Sequence, residues 1–442
     1  MKWEFLRAIV MAEEKRTSAI PGFYKLKPSE RLAKAKEFSG LSDEEATALS
    51  KEGGLPSDVA DKMIENFIGF MPVPMGVATN FIVNGKECLV PMAIEEPSVI
   101  AAASNGAKLC RSTGGFKASS TEPLMIGQIQ LAGVKNAKEQ AAKLAKDKYV
   151  LLDVAKGLTS SLEKYGGGAR DAEVRLVETR RGDMLVIHIT INTGDAMGAN
   201  TINSVCEKMA PELERMTGGK ARLRILSNLA VKRLSRASAT WKKDEIGGEG
   251  VVDAILDAYE LAVSDPFRAA THNKGIMNGV DAVALATGND WRAVEAGSHA
   301  YAAFGKNYSS LTKYEKDKQG NLVGSIELPL AVGLVGGATK THPAAKAGVK
   351  LLGAKSAGEL AQVMASVGLA QNFAALKALS TEGIQRGHME LHARNIAVNA
   401  GASGDDIELI ALQMAKEGNV KVDRAKQILE KLEKGNAEKG EE

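Results

Sequence analysis

The chain has 442 residues, 44% hydrophobic and 25% charged, which is more than one hydrophobic core organises and leaves no compositional case for disorder, so two or three globular domains are expected. Its 57 Lys plus Arg stand against 54 Asp plus Glu, a formal charge of only +3. That balance excludes the basic face on which nucleic-acid binding depends.

The apolar run Phe5–Ala12 is interrupted by Arg7 and followed at once by Glu13-Glu14-Lys15-Arg16. Neither it nor any other segment reaches the roughly 18 apolar residues of a membrane span, so no membrane partner is expected. Cys88, Cys110 and Cys206 are widely separated and lack metal spacing; they read as reduced thiols of a cytoplasmic protein, with no metal site.

In chain order, residues 27–66 read as helical, with Leu32, Ala35, Phe38 and Leu41 at helical spacing. Strands joined by an Asn84-Gly85 turn are predicted between Met71 and Val90, and Pro97 opens an Ala-rich helix through Lys108. From Glu122 to Leu226 the pattern predicts a strand (Met125 to Leu131), a helix (Asn136 to Lys146), a short strand (Tyr149 to Leu152) and a second helix. A hairpin then turns at Arg181-Gly182-Asp183, followed by a helix (Gly198 to Met216) and a strand (Arg222 to Leu226). That order resembles a split βαβ, ferredoxin-like unit inserted into a larger domain. A helix Val251 to Val263 ends at Asp265-Pro266, a Gly- and Ala-rich stretch reads as tightly packed backbone up to about Gly383, and a charged helical tail starts at Ile384.

Several segments carry chemistry-bearing side chains. Glu95-Glu96-Pro97-Ser98 puts two carboxylates at a helix start, where acids more often serve only the cap and the dipole. Arg268 to Gly279 gathers cations and donors around Lys274, a set suited to an anionic, oxygen-rich ligand or to a polar loop. Sixteen residues beyond Lys274, Asp290 lies in Thr287-Gly288-Asn289-Asp290, and a carboxylate there would hold a nearby lysine charged or simply cap the next helix. No GxGxxG lies between a strand and a helix. The better anion site is Gly194-Asp195-Ala196-Met197-Gly198-Ala199-Asn200, where a strand enters a helix and free N–H groups suit a pyrophosphate. His388 and His392 are four apart on one helical face, but Glu390 is not placed as in a zincin, so His388 reads as a general acid rather than a metal ligand.

Taken together, ENFIGFMPVP, EEPSVIAAAS, RDAEVR, DAMGANTIN, THNKGIMNGVDAVALATGNDWRAVEAGSHAYA and GHMELHARN, in this order, closely resemble the class II (bacterial and archaeal) 3-hydroxy-3-methylglutaryl-CoA (HMG-CoA) reductases, from about Phe23 to beyond His392. The resemblance implies an α+β architecture: a large α/β substrate domain (1–115 and 222–382), an inserted ferredoxin-like cofactor domain (116–221) and a C-terminal helical flap (383–442). It implies NADH or NADPH as cofactor, HMG-CoA, mevalonate and CoA as substrates and products, and a homodimer with active sites at the subunit interface, with hexamers of such dimers compatible.

By motif position, the resemblance places the family's catalytic residues on Glu96, Lys274, Asp290 and His388. Arg268, Ser98 and Asn278 fall on the contacts to the HMG group, and Asp195, Met197, Gly198 and Asn200 on the dinucleotide motif. Asp153, at the end of the strand expected over Tyr149 to Leu152, is placed as a ribose-binding acid that leans the cofactor toward NADH by repelling a 2′-phosphate. Arg170 and Arg175 are the cations nearest to that domain for a 2′-phosphate. Lys25 stands where some relatives carry an arginine for CoA.

Overall fold

The structure is a computed structural model that describes residues 17–50, 54–164, 166–305, 307–381 and 383–439, with side chains except at 50, 384–391 and 433–439. The apolar run Phe5–Ala12 and the side chain of His388 therefore lie outside the described residues.

The N-terminal helices α1 (Pro28–Ser39), α2 (Asp43–Ser50) and α3 (Ser57–Met63) lead into a hairpin of β1 (Met75–Val83) and β2 (Lys86–Ala93). Asn84 (φ 51°) and Gly85 (φ 77°) both lie in the left-handed region, as the predicted tight turn requires. Pro97 starts α4 (Pro97–Leu109), and β3 (Lys117–Ser120) follows.

The next unit runs β4 (Leu124–Ala132), α5 (Ala137–Lys146), α6 (Lys148–Glu163), β5 (Gly168–Val177), β6 (Met184–Asn192), α7 (Ala199–Thr217) and β7 (Lys220–Leu226). Its sheet has the order β5-β6-β4-β7 with antiparallel pairs, which is the ferredoxin-like arrangement expected. One expected element is overturned: Tyr149 to Leu152 belong to helix α6 and not to a strand. The residues that α6 buries are Leu151, Ala155 and Thr159, four apart each time, so a helical stripe passes through what looks like a short apolar run. Asp153 consequently sits exposed on a helix, not at a strand end.

The chain continues through β8 (Leu234–Trp241), α8 (Lys243–Ile246), α9 (Glu249–Ser264), α10 (Pro266–Ala286), α11 (Trp291–Ala302), β9 (Thr312–Lys316), β10 (Leu322–Pro329), α12 (Gly337–Thr341), α13 (Pro343–Leu352) and α14 (Ala357–Ser380). The second sheet, β3-β8-β10-β9, is antiparallel too, so the large part of the chain is itself built on antiparallel pairing. Helix α14 is apolar around most of its circumference and is buried along almost its whole length, as expected of a helix enclosed by other elements. At its centre Phe373 stacks on Trp241, ring centroids 4.0 Å apart, and the indole Nε1 donates to Gly106 O at 3.0 Å. Removing either ring would cost about 3–5 kcal/mol.

Two apolar cores result, one around Trp241 and Phe373 and one inside the ferredoxin-like unit around Ile129, Ile187 and Leu213. The C-terminal helices α15 (Ile384–Asn399), α16 (Asp406–Glu417) and α17 (Val422–Lys439) enclose a third, smaller core of Ala393, Ala397, Ile410, Met414, Ala425 and Ile428. Helix α15 touches α4 and α14.

Candidate active site

Glu96 occupies the N-cap position of α4, but its carboxylate accepts no helix N–H. Its Oε1 accepts instead from Ser98 Oγ at 2.6 Å. The capping explanation of this carboxylate therefore fails, and a half-buried acid is left with a hydroxyl as its partner. The helix that carries His388, α15, rests against this same α4.

Helix α10 divides the polar motif that begins at Arg268 into two sets. Asp265 caps the helix by accepting from Arg268 N at 2.9 Å. His272 and Asn273 turn into the core: His272 Nε2 lies 2.8 Å from Thr312 Oγ1, and Asn273 Nδ2 donates to Ser309 O at 2.9 Å. Lys274, Asn278 and Asp281 follow one another at four- and three-residue spacing on the face left out of the core. Arg268 is half-buried on the first turn, and burial pulls its guanidinium below the ordinary value. Desolvation, with the nearby Glu295 carboxylate, pushes the Asp281 carboxyl up to about 8.

After α10 the chain turns through Thr287–Asn289, which places Asp290 at the N-cap of α11. Asp290 Oδ1 accepts from Ala293 N and from Arg292 Nε, both at 3.2 Å. Among the described residues no ion pair joins Asp290 to Lys274, which is exposed. The expected contact between them is thus not formed in this chain, because the turn points the carboxylate along α11.

The dinucleotide motif lies where β6 enters α7. Gly198 is the N-cap, at φ 99° with no side-chain cap, so no capping side chain takes up the first-turn N–H groups of α7. A side chain at Gly198 would put its Cβ 2.3 Å from Thr193 Cγ2. Asp195 is exposed, yet its Oδ1 accepts from Ala357 N at 2.8 Å and its carbonyl from Leu334 N at 2.9 Å; it pins the loop to the start of α14. Met197 is half-buried and Asn200 exposed.

The segment Val332–Val335 joins the two halves of the site. Gly333 N donates to Asn289 Oδ1 at 2.8 Å, and Val335 bridges Ala196. The cofactor motif and the turn that presents Asp290 thus rest on one piece of backbone. Sequence reasoning missed both Asn289 as a strut and the buried Arg233 beneath the loop, since each acts on residues distant in the chain.

Arg170 is committed to the carbonyls of Gly167 and Gly166, at 3.0 and 2.6 Å, and Arg175 lies against His188. Cys88, Cys110 and Cys206 are free and buried, with burial pushing their thiols up to about 11, 12 and 12. They are poor nucleophiles. No group of metal-binding side chains occurs among the described residues.

With this geometry in place, the comparisons are decisive. The family model for hydroxymethylglutaryl-coenzyme A reductase matches residues 27–393. The chain belongs to this family. It is 56% identical over 416 residues to the 3-hydroxy-3-methylglutaryl-coenzyme A reductase of Archaeoglobus fulgidus, covering 94% of this chain and 95% of that one. The class II reductase of Streptococcus pneumoniae, solved bound to NADPH in open conformations, superposes with a TM-score of 0.78 at 40% identity, covering 92% of this chain and all of that one. A second structure of the pneumococcal reductase gives 0.79 at 40% identity over 93% of this chain. This reductase therefore belongs to class II.

Proposed function

We propose that this reductase interconverts HMG-CoA and mevalonate through Glu96, Lys274, Asp290 and His388. The observation that carries the residue assignment is the Glu96 carboxylate: it stands at a helix start, bonds no helix N–H and is held by Ser98. Free acid, exposed ammonium and half-buried guanidinium come from neighbouring elements, as a reduction that handles two oxyanions and a thiolate requires.

Each bound reduced nicotinamide would supply one hydride, so two cofactors would be used in turn, the oxidised one leaving between the two reductions. The residues that fit it are Met197, Gly198 and Asn200 at the uncapped start of α7, with Asp195 holding the loop. Lys274 stabilises the oxyanion that develops at the thioester carbonyl. Asp290 is assigned to keep that ammonium charged, which requires its carboxylate to leave Ala293 and Arg292, the partners it has here. His388 protonates the departing CoA thiolate, and Glu96 protonates the mevaldehyde carbonyl in the second reduction. Arg268 takes the HMG carboxylate, with Ser98 and Asn278 as hydrogen-bond donors.

Asp153 now lies on α6, so the strand-end argument that leaned toward NADH has lost its support. The proposal is a nicotinamide dinucleotide, with NADH and NADPH to be compared directly.

A homodimer is proposed on the run through the ENFIGFMPVP motif. Ile68 is 100% and Met71 88% exposed, with Phe70 and Val73 also open. Apolar side chains so displayed on one extended segment call for a covering surface, and a second copy of the chain is the proposed cover. The unpaired thiols support a cytoplasmic setting, and no helix among the described residues is long and apolar enough to cross a membrane.

The test is loss of nicotinamide absorbance with HMG-CoA, using NADH and NADPH in parallel, for the wild type beside Lys274→Ala. Turnover with at least one cofactor, reduced about a thousandfold or more in the variant, is expected for the loss of an oxyanion stabiliser. Wild-type silence with both cofactors and in both directions contradicts the proposal.

A further inference from the structure

Beneath the dinucleotide motif lies one buried cation. Arg233 is 5% exposed and stands just before β8. Its Nη1 donates to Thr193 Oγ1 at 3.1 Å and to the carbonyl oxygens of Ala196 and Met197, both at 3.2 Å. Its Nη2 donates to Val332 O. The backbone of Arg233 is fixed as well, its N–H on Ala230 O at 2.9 Å and its carbonyl accepting from Leu330 N at 3.1 Å. Burial pulls the guanidinium down to about 10, with Asp195 the opposing charge, so it is still cationic at neutral pH.

These contacts have a directional consequence. In a planar trans peptide the carbonyl and the following N–H point opposite ways. With the Met197 carbonyl drawn inward to Arg233, the Gly198 N–H is turned away from it, beside the unfilled N–H groups at the start of α7. The other arm of the guanidinium holds Val332. One residue on, Gly333 N is bonded to Asn289, the neighbour of Asp290. A single side chain thus holds the anion-binding loop and the backbone on which the Asp290 turn hangs.

We propose that Arg233 is a positioning residue for the reaction: it orients the 193–198 loop to receive the pyrophosphate and fixes that loop's distance from Asp290. The proposal rests on reading residues 195–200 as the cofactor site. A lysine at 233 keeps the charge but not the fork that reaches the loop carbonyls and Val332 together.

The experiment uses the full-length enzyme and compares Arg233→Lys, Arg233→Met, Asn289→Ala and Asn200→Asp. Readouts are NADH and NADPH dissociation constants by fluorescence, KM for each substrate, kcat and Tm. Arg233→Lys is expected to weaken cofactor binding about tenfold, the order of one lost hydrogen bond to a charged group, with KM for HMG-CoA within about twofold. Arg233→Met should weaken it further if it folds. Asn289→Ala, which cuts the tie to Gly333 and the bonds within its own turn to Thr287, should lower kcat and leave cofactor binding unchanged.

Unchanged cofactor binding in a folded Arg233→Lys, while Asn200→Asp weakens it, overturns the role of Arg233 and leaves the cofactor site standing. If Asn200→Asp and both Arg233 variants all bind cofactor normally, the cofactor site itself is misplaced and the proposal falls with it. A lowered Tm in Arg233→Lys with both substrates bound normally assigns the residue to stability alone and also overturns it.

Discussion

Gly333 N donates to Asn289 Oδ1 at 2.8 Å, which ties the backbone under the cofactor motif to the turn that presents Asp290. Close packing against the 195–197 backbone explains why residue 333 is a glycine. A Cβ there would lie 2.6 Å from Met197 N and 2.9 Å from Asp195 O, and both are backbone atoms that cannot swing aside.

Gly333→Ala should therefore displace the 195–198 loop. The expected result is a rise of about tenfold or more in KM for the nicotinamide cofactor, with a stability loss of about 1–3 kcal/mol from overpacking. Steady-state kinetics and thermal melts check it. An alanine variant with normal cofactor KM would show that the loop is free to move away from Val332–Val335.

Because the Glu96 carboxylate caps nothing, its replacement should separate chemistry from folding. Glu96→Gln is expected to leave Tm unchanged while kcat falls by about 10²–10⁴, the range for losing a positioned proton donor. Ser98→Ala, which removes the 2.6 Å partner, should raise KM for HMG-CoA more than it lowers kcat. A fall in Tm for Glu96→Gln equal to that of a lost helix cap would argue that the acid is structural.

Ile68→Asp places a charge in the most exposed part of the apolar segment. The chain is expected to sediment as a monomer and to lose activity, while its circular dichroism stays that of the wild type. A monomer of full activity would contradict interface active sites.

His272 is buried against Thr312 and Ser310, and desolvation, helped by the Arg268 charge, pulls its imidazole from 6.5 down to about 3. The unfolded chain therefore takes up this proton first. Stability from the neutral ring is complete above about 6.5 and is lost as pH falls from there toward 3. His272→Gln retains a donor but does not titrate. It should be less stable than wild type at about pH 7.5, with the difference in Tm narrowing by about pH 5; a constant difference would place the ring in water.

Much of this was legible in the sequence where the signal is local. Asn84-Gly85 gave its hairpin, Arg181-Gly182-Asp183 marked the turn between β5 and β6, and Pro97 gave the start of α4. Tyr149 to Leu152 misled because four apolar residues fit a strand as well as a helix turn, and only the continuation through Ala155 and Thr159 separates the two. In the proposed site, the motifs singled out Glu96, Lys274, Asp290 and the 195–200 loop. They could not tell that His272 and Asn273 point inward while Lys274 and Asn278 point outward, because that division depends on which elements pack around α10. Nor could they reveal Arg233, whose acceptors at Thr193, Ala196, Met197 and Val332 are assembled only by the fold.

The most direct test of the central claim is the stoichiometry of a single complete reaction: limiting HMG-CoA with excess reduced cofactor, following nicotinamide absorbance and free thiol together. Two cofactors oxidised and one CoA thiol released per HMG-CoA, with mevalonate as product and Lys274→Ala silent, is the predicted result. Release of thiol with no cofactor oxidised would mean thioester hydrolysis, and would contradict the four-electron reduction assigned to this site.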